Sequence, residues 1–128
     1  MSEPLPSEVL YLVHHYLPTM EHVELLLMLA RDDTRRWTPA EAAAEAKSTV
    51  AGTHTRLRDL ERAGLAVADP ADEAYRYSPA TATFRNATEE LRRIYNTRPV
   101  SLVRAVYERP PSALRSFADA FRLRREDD

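Results

Sequence analysis

The chain has 128 residues, 44% of them apolar, and a formal net charge of −2, which suits one domain built around a single core. It has no cysteine, which excludes disulfides, thiolate zinc sites and cysteine nucleophiles. No apolar run reaches the length of a membrane span, and the opening MSEPLPSE is acidic, unlike a secretory signal, so a cytoplasmic, bacterial-type protein is expected.

Prolines and glycines divide the chain into segments. After Pro4 and Pro6, Val9, Leu12, Val13 and Tyr16 share one face of a helix over residues 7–17, which Pro18 ends. Thr19 can cap a second helix to about Ala30. Val23, Leu26, Leu27 and Ala30 form its stripe, but Leu25, Met28 and Leu29 make it apolar nearly all round, so it is central or lies at an interface. RDDTRR, residues 31–36, reads as a solvated turn. Trp37 then sits in a one- or two-residue strand beside a later hairpin, most simply as a core plug.

The strongest signals run from Thr38 to Val67. Thr38, Pro39 and Glu41 form a capping box with proline at the first helical position, opening an alanine-rich helix to about Lys47. Ser48-Thr49 is a tight turn. The next helix places Val50, Thr53, Leu57 and Leu60 on one stripe, which is expected to be buried. Gly64 stops it with a left-handed turn, and Leu65 can fold back onto Leu60. Leu65–Asp69 and Ala74–Ser78 read as a hairpin joined by Pro70-Ala71-Asp72-Glu73. Amphipathic helices follow over 81–96, 99–108 and, after Pro110-Pro111, 113–124. The fold class expected is mainly α with a small β-hairpin wing: a winged helix-turn-helix with extra N- and C-terminal helices.

TPAEAAAEAK…RLRDLERAGLAV resembles the core of bacterial winged-helix regulators of the MarR group, with Leu60-Glu61-Arg62-Ala63-Gly64-Leu65 matching their Leu-Glu-x-x-Gly-Leu ending. The resemblance covers about residues 20–79 of a single domain. It implies double-stranded DNA as partner and a homodimer held by the terminal helices, 7–17 and 81–124. It also allows a small-molecule effector between the DNA-binding lobe and the dimer helices, where Tyr16, Trp37 and Tyr95 are lining candidates.

With Leu57 inward, a step of about 100° per residue turns Ala51, Gly52, Thr55, Arg58, Asp59 and Arg62 outward, with His54 and Arg56 at the flanks. A recognition helix reads base edges with its N-terminal half. Thr55 and Arg58 are the base-reading candidates, Arg58 through a bidentate contact to guanine. Gly52 permits close backbone approach, and Thr49, His54 and Arg56 are placed for phosphates. Arg76, on the second hairpin strand opposite Tyr75 and Tyr77, is the base that the wing offers. The rest of the wing departs from the family: its tip presents Asp72 and Glu73, which phosphates repel.

Charge is distributed unevenly. Residues 1–30 carry no lysine or arginine, whereas 31–62 hold seven basic against six acidic residues, so any positive surface is local. A dimeric regulator reading a pseudo-palindromic operator is the first reading. The second, prompted by the acidic wing and near-neutral total, is a winged-helix protein-interaction module that does not bind DNA. Catalysis is not expected, since no nucleophile elbow, phosphate-cradling glycine loop or HExxH is present. Nor is a metal or cofactor: His14 and His15 point about 100° apart, and with His22 they read as polar helix-face residues.

Overall fold

The helix that is apolar on nearly every side determines the packing of the others. A computed structural model describes residues 4–71 and 73–108. In it α2, Met20–Ala30, buries His22, Val23 and every residue from Leu25 to Leu29. Thr19 caps it by accepting the backbone N–H of His22. Around α2 stand α1 (Ser7–Tyr16), α3 (Pro39–Ala46), α4 (Val50–Arg62), α5 (Ala82–Thr97) and α6 (Pro99–Tyr107), with strands β1 (Ala66–Asp69) and β2 (Ala74–Tyr77). α2 packs on α3, α4, α5 and β2, while α1, α5 and α6 pack on one another. One continuous core results, running from Val9 and Leu12 through Leu26 and Leu29 to Leu57, Leu60, Leu91 and Leu102.

The architecture is therefore mainly helical with one small antiparallel sheet. β1 and β2 pair in the register Ala66 with Tyr77 and Asp69 with Ala74. Trp37 adds a single bridge on the other side of β2: its N–H donates to the Tyr75 carbonyl, and its carbonyl accepts from the Tyr75 N–H, both at 2.8 Å. The Trp37 ring is buried, with the Arg35 guanidinium 3.5 Å from its centroid.

The boundaries of α3 and α4 follow from local chemistry. The Thr38 N–H donates to Glu41 at 3.0 Å and the Glu41 N–H to the Thr38 hydroxyl at 3.1 Å, completing the predicted capping box. The same contacts, the Thr38 N–H first, hold the Glu41 carboxyl below its ordinary range. At its other end α4 closes as a Schellman turn, the N–H of Leu65 reaching the Leu60 carbonyl and that of Gly64 the Glu61 carbonyl, each at 3.0 Å. Gly64 has φ +83°, so this turn suits glycine.

Several expectations need correction. The stripe of α4 is Thr53, Leu57 and Leu60; Val50, the first residue of the helix, is exposed. α3 ends at Ala46, not Lys47, because Lys47 itself adopts the left-handed conformation at φ 55°. That lets the Ser48 N–H reach the Ala43 carbonyl at 2.9 Å. The predicted helix over 113–124 lies outside the described residues, as does Asp72. Among the described residues no helix is long and apolar enough to cross a membrane.

The left-handed conformation costs a non-glycine residue about 1–2 kcal/mol, partly offset in a glycine variant by its larger backbone entropy when unfolded. Lys47→Gly should therefore stabilise the protein by roughly 0.5–1 kcal/mol. Urea unfolding monitored by helical circular dichroism checks this; an unchanged or lower midpoint would show that Lys47 makes compensating contacts.

Candidate functional site

The outward side of α4 is the surface that sequence and structure both single out. Ala51, His54, Thr55, Arg58, Glu61 and Arg62 are exposed, while Thr53, Leu57 and Leu60 face the core. The first turn holds no acidic residue, and from Thr49 to Arg58 the only ionisable side chains are His54, Arg56 and Arg58. The two acids of the helix, Asp59 and Glu61, fall in its C-terminal half, so the positive end of the helix dipole is not cancelled.

Thr49 is exposed and caps α4, its hydroxyl accepting the Gly52 N–H at 3.1 Å. Gly52 has a structural reason: a Cβ there would lie 2.8 Å from the Thr49 oxygen and 3.3 Å from the Arg56 guanidinium. Thr55 donates its hydroxyl to the Ala51 carbonyl at 3.1 Å, which leaves its oxygen free to accept and its methyl group outward. Arg58 extends into solvent and makes no ion pair among the described residues. His54 stacks edge-on against Tyr75 with ring centroids 6.0 Å apart, fixing the hairpin beside α4. Burial, followed by the charge of Glu61, raises the Tyr75 phenol above its ordinary range, so this ring stays neutral.

Arg56, expected at the flank of α4, and Asp59, expected to face outward, both turn toward α2. Arg56 forms an ion pair with Glu21 and approaches the Ser48 hydroxyl at 3.5 Å, so its guanidinium is already engaged inside the molecule. Asp59 accepts from His22 Nε2 at 2.9 Å, and Nδ1 of the same ring lies 2.8 Å from the Thr19 hydroxyl. His22 is thus a buried strut between α2 and α4, not a solvated face residue. The other two histidines of that group go elsewhere: His14 to the Ala105 carbonyl at 3.0 Å and His15 onto the Tyr11 ring. Arg76 lies, as alternation predicts, opposite the buried Tyr75 and Tyr77. Tyr75 faces α4, so Arg76 projects from the opposite side of β2, into a hollow shared with Arg36 and Arg85.

Sequence reasoning missed a cleft of about 580 Å³ between α2, the α3–α4 turn, α4 and α5. Leu25, Leu27 and Met28 supply apolar wall, Glu21 and Arg56 part of the polar lining, and Tyr95 and Arg92 the α5 side. Nε and Nη2 of Arg92 and Oγ1 of Thr53 are buried without a hydrogen-bond partner. Of the three aromatic lining candidates only Tyr95 is there. Trp37 belongs to the core, and Tyr16 packs edge-on against Phe84 at 5.3 Å. Arg92 shows in the sequence only as a base at the edge of an amphipathic stripe, and no pattern marks it as covered.

No family model matches the chain, and no curated protein or solved structure shows a match to it. The site therefore rests on its own geometry.

Removing half of a buried, hydrogen-bonded pair leaves the other half unsatisfied. His22→Ala should cost about 1–3 kcal/mol in urea unfolding, and a double-mutant cycle with Asp59→Ala should give a coupling of about 0.5–3 kcal/mol. A coupling near zero would reduce the contact to an incidental one.

Proposed function

We propose that the chain is a winged helix-turn-helix protein of the MarR-like kind that binds double-stranded DNA as a homodimer and regulates transcription. α3, the Lys47–Thr49 turn and α4 form the helix-turn-helix, β1 and β2 the wing, and α4 the recognition helix. One observation carries this reading: the outward side of the N-terminal half of α4 is exposed and carries no acidic side chain of its own. Such a surface can enter a major groove, whereas a helix covered by its neighbours cannot. Arg58 and Thr55 are assigned to base edges, and Thr49 and His54 to phosphates; Gly52 keeps the cap in place. Arg56 is withdrawn from the contact set because Glu21 holds it.

The dimer is assigned to the terminal helices. Val100, Val103 and Tyr107 leave one face of α6 apolar and exposed, as does Tyr11 on α1. The competing reading, a protein-interaction module, draws on those same apolar positions and on the acidic residue Glu73 at the hairpin tip. Salt dependence separates the two. Binding to duplex DNA that weakens steeply between about 50 and 200 mM salt supports the regulator. No retention on DNA at the low end of that range supports the module. Arg58→Ala should relax preference at one position in each half-site by about 1–3 kcal/mol, read by competition with base-substituted duplexes. Uniform weakening would make Arg58 a phosphate contact.

The cleft beside Arg92 suits an effector with an apolar body and an anionic group, because Leu25, Leu27 and Met28 give it an apolar wall and its cations, Arg31, Lys47, Arg56 and Arg92, outnumber its carboxylates, Glu21, Glu24 and Glu45. Anilinonaphthalene sulfonate is expected to bind saturably with enhanced fluorescence, and Arg92→Gln to weaken it by about tenfold, the loss of a charged hydrogen bond of roughly 1.5 kcal/mol. Equal affinity in the variant would remove Arg92 from the site.

A further inference from the structure

Helix α6 is apolar on two sides. Leu102 and Val106 are buried in the core that α6 shares with α1 and α5, while Val100, Val103 and Tyr107 stand exposed on the other side. Val100 and Tyr107 are the two most exposed large apolar side chains among the described residues. With Val103 they line a groove of about 410 Å³, completed by Pro99, Arg104 and Glu108. Tyr107 is exposed yet held in place, because its hydroxyl accepts the Met20 N–H at 3.2 Å. A ring already fixed loses little freedom when another side chain packs on it.

The sequence supplies an occupant close by. α6 ends at Tyr107 with Glu108 as its C-cap, and residues 109–128 follow. Within them Leu114, Phe117, Ala118 and Phe121 recur at helical spacing. A helix of 113–124, about 18 Å long, is marginal alone in water and needs an apolar neighbour for that stripe. The connector 109–112 has the length that joins antiparallel helices, and Pro110-Pro111 cannot continue α6. An antiparallel return lays the stripe along α6 itself.

We propose that the outer face of α6 is a docking surface for residues 113–124 of the same chain, with Phe117 and Phe121 seated on either side of Val103. The inference goes beyond the DNA-binding reading and does not depend on it. The dimer stays with the terminal helices, but the α6 face is filled from within each protomer, and Tyr11 on α1 is the exposed aromatic left to a second copy.

The chain has no cysteine, so an introduced pair can be read without background. In the full chain Val103→Cys is combined with Phe117→Cys and, separately, with Phe121→Cys, then oxidised over a range of protein concentrations and resolved without reductant. A disulfide within one chain in either pair, at a yield independent of concentration, supports the proposal. No disulfide, or one that joins two chains, overturns it, and the second result gives the α6 face to the dimer. Val67→Cys with Phe117→Cys is the control, since Val67 is exposed on the hairpin, and equal cross-linking there overturns the proposal too. A second measurement is free of cysteine geometry. The Phe117→Asp, Phe121→Asp double variant should lower the thermal unfolding midpoint by about 5 °C or more, alike at low and high protein concentration. An unchanged midpoint, or a loss seen only at high concentration, overturns the proposal. Neither readout uses DNA, so failure of the regulator reading leaves both standing.

Discussion

The burial of α2 on nearly all sides constrains the rest of the molecule. A helix carrying Val23 and an unbroken apolar run from Leu25 to Leu29 cannot lie at a surface without exposing several large side chains, each worth about 1.5–3 kcal/mol when buried. Helices α3, α4 and α5 and strand β2 are drawn around it, and each gives up its apolar stripe to do so. Because α4 surrenders only Thr53, Leu57 and Leu60, most of its side chains stay at the surface, His54, Thr55, Arg58, Glu61 and Arg62 among them. Exposure of the candidate reading surface is thus a consequence of how the core is filled.

Polar contacts refine what burial begins. His22 is the one ionisable residue on the buried side of α2, and it is satisfied at both ring nitrogens, by Asp59 and Thr19. Arg56 and Glu21 make a second tie between the same two helices one turn nearer the α4 N-terminus. Together they fix the rotation of α4 about its axis more tightly than three aliphatic contacts would. That restraint sets the direction of Thr55 and Arg58, since positions one residue apart differ by about 100°.

Much of this was legible in the sequence, for a physical reason. Thr38, Glu41 and Gly64 act through hydrogen bonds and torsions within a few residues of themselves, so the capping box and the Schellman turn appear in the order of letters. The pairing of Trp37 with the hairpin was also readable, since a short strand before a helix-turn-helix outline has few other places to go. What escaped depends on neighbours distant in sequence. On a helical wheel Asp59 looks outward and Arg56 lies at the flank, and only the placement of His22 and Glu21 beside them, 35 or more residues upstream, turns them inward. Val50 looks inward on the same wheel, yet at the first position of α4 it is left exposed. Lys47 at positive φ has no sequence signature, because glycine or asparagine is the usual choice there.

A near-neutral chain can still offer a positive surface if its acids are used in the right places. Here Glu21 is consumed by Arg56, Asp69 by Arg36, and Asp59 is directed to His22, so three carboxylates are held against the body of the protein. Arg58 and Arg76 have no such partner among the described residues. Exposed charges act over about a Debye length, roughly 8 Å at physiological salt, so a partner responds to the nearest few groups and hardly to the total. The cleft beside Arg92 extends the same logic to regulation. Its lining includes Thr53 and Arg56, which alternate along α4 with the outward His54, Thr55 and Arg58. An occupant that drew Arg56 away from Glu21 would loosen the rotational restraint on α4 and with it the direction in which its outward side chains are held.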